Sequence, residues 1–100
     1  MNANRRKLVT IVTESALEAR LTEELQRLGA KGYTVSEARG KGARGVRSAA
    51  WEAERNIRIE VVCDDAVARA VLDHVAATYH AHFAMIVFTQ DVEVMRPEKF

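Results

Sequence analysis

Residues 32–63 read GYTVSEAR, then GKGARGVRSAAWEAERN, then IRIEVVC, and the succession of these three pieces decides the fold. The first and third read as strands, the third with clear alternation of apolar and polar side chains at its start. Tyr33, Val35 and Glu37 share one face of the first. The middle piece, residues 40–56, has no apolar period and contains Gly40, Gly42 and Gly45, so it reads as a loop. Two strands therefore follow one another with no helix between them. Their connection of 17 residues is far longer than the roughly 2–5 residues of an ordinary hairpin loop. Loops of that length are usually functional or mobile.

Working outward, residues 7–13 (KLVTIVT) predict a strand that is mostly buried. Ser15 and Glu18 have the spacing of a capping box, in which each side chain satisfies a free backbone N–H at a helix start. Leu17, Leu21, Leu25 and Leu28 follow on one helical face, with Gly29 or Gly32 placed to end the helix. Downstream, Asp64 or Asp65 can cap a second helix that carries Val67, Val71, Val75 and Tyr79 on one face, with Ala68 and Leu72 beside them. Residues 83–90 (FAMIVFTQ) predict a fourth strand, and residues 92–95 a short further one before Pro97. The order is β-α-β-β-α-β, an α+β ferredoxin-like sandwich with two helices on one face of an antiparallel sheet. The other face also carries apolar residues, and an exposed apolar sheet face predicts self-association.

The 100 residues suit one domain, residues 1–100, with the long loop 40–56. No apolar run approaches the roughly 20 residues of a membrane span, and the basic start lacks the apolar core of a signal peptide, so a cytoplasmic protein is expected. The lone Cys63 excludes an internal disulfide and a cysteine-based zinc cage, and its apolar setting predicts a buried, inert thiol. Net charge is only +1, but its distribution is uneven. Between residues 39 and 58 lie Arg39, Lys41, Arg44, Arg47, Arg55 and Arg58 against only Glu52 and Glu54.

Within the loop, residues 40–48 (GKGARGVRS) set three glycines among three cations. Glycines allow positive φ, so that successive N–H groups can point into a concave nest for an anion. Arginine adds a planar fork for phosphate or carboxylate oxygens, and lysine a point charge. The P-loop pattern and its strand-to-helix setting are absent. The same composition suits a flexible solvated connector equally well. His80 and His82, one residue apart, lack a neighbouring carboxylate or cysteine to complete a metal set. Trp51, also in the loop, fits either a docking anchor or local packing. Asp64 and Asp65 are explained as helix caps, and no catalytic constellation or metal site is assigned.

The segment from Gly32 through Thr34 to Gly42 and residues 58–65 (RIEVVCDD) resemble the PII signal-transduction superfamily, over nearly the whole chain. Its members are trimeric ferredoxin-like proteins that bind adenine nucleotides in clefts between subunits. Residues 29–35 (GAKGYTV) and the string GKGARGVRS are more similar still to the PII-like regulators associated with bicarbonate transport and carboxysomes. The resemblance implies a homotrimer whose residues 40–56 form the family's mobile T-loop. It gives Arg44 and Arg47 contact with nucleotide phosphates, and places Thr34, Gly40, Lys41 and Gly42 along the site. Glu60 and Val62 would lie near the adenine, with Phe83 and Ala84 where the family has its B-loop. Bicarbonate would sit at Gly40, Lys41 and Gly42 beside Arg47.

Two departures refine that expectation. The glycine-rich B-loop ending in a phosphate-binding lysine is missing, its place taken by residues 79–84 (YHAHFA), and the paired basic residues of the last strand are replaced by Glu93, Val94 and Met95. Fewer phosphate ligands imply AMP or ADP in preference to ATP. Residues 40–56 contain no tyrosine for uridylylation. The implied function is allosteric rather than enzymatic: nucleotide orders the loop, which controls a partner in inorganic-carbon metabolism such as a bicarbonate transporter. The alternative is a nucleic-acid-binding module using the basic loop, though the strands lack the interleaved aromatics of an RNA-binding sheet.

Overall fold

A computed structural model describes residues 3–40, 55–79 and 83–100. Strand β1 (Arg5–Glu14) leads through a 3₁₀ turn (Ser15–Leu17) into helix α1 (Glu18–Arg27). Strands β2 (Thr34–Ala38) and β3 (Asn56–Cys63) follow, then helix α2 (Asp65–Thr78), strand β4 (Ile86–Glu93) and a closing 3₁₀ turn (Pro97–Lys99). The sheet is antiparallel throughout, in the order β2-β3-β1-β4. This is the expected βαββαβ arrangement.

The two faces of the sheet differ because side chains alternate along each strand. On one face Val9 and Ile11 of β1 lie beside Ile57, Ile59 and Val61 of β3, all buried. Leu17, Leu21 and Leu25 from the first helical segment and Ala68, Val71, Val75 and Tyr79 from the second complete the same core. Each fully buried aliphatic side chain contributes roughly 1.5–3 kcal/mol relative to exposure, so this layer supplies the main driving force. Among the described residues no α-helix packs on the opposite face, and there Ile86 and Phe88 remain 55% and 40% exposed.

Local chemistry sets the helix ends. Asp64 caps α2, its Oδ1 accepting from the Val67 N–H at 2.8 Å. At the end of α1, the Gly29 N–H donates to the Gln26 carbonyl and the Ala30 N–H to the Leu25 carbonyl, a Schellman closure. Gly29 makes it possible with φ at +111°. The capping box expected from Ser15 and Glu18 is not formed. Strand β1 continues to Glu14, so Ser15 enters a 3₁₀ turn with no side-chain cap, and the α-helix begins only at Glu18. The Ser15 N–H instead donates to the Arg55 carbonyl at 2.7 Å. The fourth strand also begins three residues later than expected and takes in Val92 and Glu93, the first half of the proposed strand 92–95. Among the described residues, no helix is long and apolar enough to cross a membrane.

Candidate functional site

Pairing register assembles the candidate site on the open face of the sheet. One row across the strands holds Thr34, Glu60, Thr10 and Phe88, and the next holds Ser36, Arg58, Val12 and Ile86. Thr34 and Glu60 are thus direct cross-strand neighbours, with Val62 one row further along the same face of β3. The Arg58 Nε donates to Glu60 Oε2 at 3.3 Å, an exposed pair that aligns the carboxylate on the sheet. Alternation of β3 puts Arg58 and Glu60 on one face, and that period is the sequence signal for Arg58, which was not among the expected site residues. Thr10 is fully buried here, and its Oγ1 meets no hydrogen-bond partner among the described residues.

Gly40 lies two residues beyond β2, and a Cβ added there would meet nothing within 4 Å. The open face and this strand end therefore share one edge of the sheet. Lys41, Gly42, Arg44 and Arg47, together with Trp51, His80 and His82, lie outside the described residues. At the base of the loop, Arg55 pairs with Glu37 at 3.4 Å, so Arg55 just before β3 and Arg58 within it both have carboxylate partners. Phe83 and Ala84 precede β4, at the opposite edge from β2. The structure thus brings Thr34, Glu60 and Val62 together within one chain, and sets Phe83 and Ala84 apart from them.

A polar cluster between the helices had no counterpart among the expected site residues. Glu24 of α1 is 8% exposed, and its Oε1 accepts from the Tyr79 hydroxyl at 2.6 Å. The same oxygen lies 2.9 Å from His74 Nε2, while Oε2 lies 3.4 Å from Arg20 Nε and 4.0 Å from Arg27. The Arg20 guanidinium also stands 4.9 Å over the Tyr79 ring. Burial acts to raise the Glu24 carboxyl, but hydrogen bonds from Tyr79 and His74 outweigh it and hold the carboxyl below its ordinary range. Burial, reinforced by the hydrogen bond to Glu24, pushes the Tyr79 phenol up to about 12. The signal for this cluster is a carboxylate on the leucine stripe: Glu24 lies three residues after Leu21 and four before Leu28.

Other groups on the framework have structural explanations. Cys63 is buried, and its thiol is pushed up to about 11 by burial and then by Asp64 and Asp65, which leaves it a poor nucleophile at neutral pH. His74 is engaged with Glu24, and no group of three or more metal-ligating side chains forms among the described residues.

The comparisons agree with this fold. The family model for nitrogen regulatory protein P-II matches residues 6–99. A solved structure described as a PII-like signaling protein, from Thermus thermophilus, is 49% identical, with a TM-score of 0.84 over 100% of this chain and 99% of that one. CPII from Thiomonas intermedia K12, solved with ADP and bicarbonate, is 28% identical with a TM-score of 0.83, covering 96% of this chain and 94% of that one. The GlnK–ATP complex of B. subtilis, at 19% identity, shares the fold, with a TM-score of 0.59 over 90% of this chain and 84% of that one. With the family model spanning nearly the whole chain and a half-identical relative covering all of it, this chain belongs to the PII family of nitrogen regulatory proteins.

Proposed function

We propose that this protein is a PII-like sensor that binds AMP or ADP in preference to ATP, in clefts between the subunits of a homotrimer. The observation that carries the proposal is its likeness, along 96% of the chain, to CPII solved with ADP and bicarbonate and also with ADP, AMP and acetate. The local chemistry is consistent with it. Thr34 and Glu60 offer polar contacts beside Val62, and the loop leaving Gly40 carries Lys41, Arg44 and Arg47 for the phosphates. Gly40, Lys41 and Gly42 beside Arg47 form the candidate bicarbonate position.

The clefts are formed between copies for a geometric reason. Thr34 and Gly40 belong to the β2 edge, whereas Phe83 and Ala84 lead into β4, the far edge, which is offset across the sheet by three strand spacings, about 14 Å. One ligand is most simply enclosed by both groups when the β2 edge of one copy meets the β4 edge of the next. The open face, with Ile86 and Phe88 exposed, faces the centre of the trimer.

In this reading bound nucleotide orders residues 40–56, and the ordered loop engages or releases a partner; a ligand that contacts only the ordered form shifts the population toward it. The partner class is a bicarbonate transporter or another carbon-concentrating component, such as one tied to carboxysomes. The protein acts in the cytoplasm as a regulator, not as an enzyme. Calorimetry with AMP, ADP and ATP, each with and without bicarbonate, tests the proposal. ADP and AMP should bind more tightly than ATP, and Arg44→Ala or Arg47→Ala should weaken ADP by about tenfold or more, the worth of a charge-assisted hydrogen bond. No adenine-nucleotide binding at millimolar ligand would remove the proposal.

A further inference from the structure

We infer that Glu24 is a positioning residue for the nucleotide cleft: from α1 its carboxylate holds Tyr79, and through Tyr79 the Phe83–Ala84 corner that leads into β4. The inference rests on the nucleotide-binding reading of Phe83 and Ala84 given above.

Glu24 occupies the buried stripe of α1, where an ionised carboxylate is costly unless it is well paired. Its partners come from both helices. Arg20 and Arg27 of α1 approach Oε2, while His74 of α2 and Tyr79 at its C-terminal end meet Oε1. A carboxylate only accepts, so His74 carries a proton on Nε2 whether the ring is neutral or charged. These contacts fix Tyr79 at three points. Its hydroxyl is bound to Glu24, its ring lies under Arg20, and its edge meets His74 at 6.2 Å between centroids.

Tyr79 passes this constraint on in two ways. Its carbonyl accepts the Phe83 N–H at 3.1 Å. Its ring meets Phe83 edge to face, 5.6 Å between centroids and 63° between planes. Phe83 is itself packed against the core, only two residues before Met85 and three before the first residue of β4. Apolar packing alone resists displacement of a ring but orients it weakly. The phenol–carboxylate bond is directional, and so it sets where the Tyr79 carbonyl and ring edge face. A corner fixed before ligand arrives loses less freedom on binding, and that difference appears as affinity.

The test measures ADP affinity by calorimetry and the hydrogen exchange of individual amides in five proteins: wild type, Tyr79→Phe, Glu24→Ala, Glu24→Gln and Val71→Ala. Val71 is fully buried in α2 and makes none of the polar contacts above, so its truncation lowers general stability without touching the cluster. Tyr79→Phe and Glu24→Ala should weaken ADP by about threefold to tenfold and hasten exchange of the Phe83 amide. Glu24→Gln keeps an oxygen acceptor for the phenol and should recover most of the loss. Val71→Ala should leave ADP affinity within about twofold of wild type. Unchanged ADP affinity in Tyr79→Phe and Glu24→Ala, or an equal loss in Val71→Ala, overturns the inference. If Glu24→Ala does not fold, Tyr79→Phe decides, since it removes one oxygen and keeps the ring. Wild-type protein that fails to bind ADP overturns the nucleotide reading and this inference with it. Binding that is indifferent to the Tyr79 hydroxyl overturns the inference alone.

Discussion

Tyr79 and Glu24 tie stability to pH from opposite sides. A phenol raised to about 12 in the folded protein, against about 10 unfolded, stabilises the fold fully below pH 10. That contribution fades as pH rises from 10 through 12, as the unfolded chain gives up its phenolic proton first. Glu24, held below its ordinary range, behaves in reverse: its contribution is present above about pH 4.5 and is lost as pH falls further. Urea unfolding across the alkaline range should therefore show stability declining above pH 10. In Tyr79→Phe the part of that slope due to the phenol, on the order of 2 kcal/mol, should vanish. An equal alkaline slope in both proteins would assign it to other groups, of which Lys7, raised by its hydrogen bond to Asp91, is one.

At the scale of elements, the junction after α1 depends on Gly29. Its φ of +111° is unfavourable for any residue with a Cβ, and an added Cβ would approach Val67 Cγ2 to 3.1 Å. Gly29→Ala should cost about 1–2 kcal/mol in a urea midpoint, while Gly32→Ala, with nothing within 4 Å of the added atom, should cost much less. Sequence leaves Gly29 and Gly32 level as helix stops; only the Schellman closure separates them. Where apolar periodicity carries the signal, as at Leu21, Leu25, Val71 and Ile59, elements and faces are legible. It fails where polar residues do the pairing. The apolar run FAMIVF points to a strand over 83–90, yet Phe83 is tied to Tyr79 by a main-chain bond and a ring contact. The other end of β4 runs on to Glu93 because Asp91 lies opposite Lys7 and is joined to it at 2.6 Å. Charge complementarity across strands leaves no mark in a hydrophobic period. Of the candidate site, Thr34, Glu60 and Val62 fall on one face as alternation requires, whereas Glu24 depends on a partner 55 residues away and can be suspected only as a misplaced carboxylate.

For the whole molecule, the exposed side chains of Ile86 and Phe88 join Leu8, Val12 and Val62 on a sheet face that no helix covers among the described residues. If that face is the centre of a trimer, Phe88→Glu places a charge opposite its own copies and should convert the assembly to monomers. Light scattering after size exclusion measures this, and a mass unchanged from wild type would separate the open face from assembly. The fold within one chain should survive, since Phe88 lies outside the core. If the nucleotide cleft joins the β2 edge of one copy to the β4 edge of the next, the separation of those edges has a genetic consequence. Let one copy carry damage only at Thr34 and another only at Phe83. Neither would form a working cleft by itself. Around a ring of three drawn from both kinds, some junction must join the sound β2 edge of one kind to the sound β4 edge of the other, and any mixture has one such junction. Two defective alleles produced together would then complement, restoring a single cleft in every mixed ring.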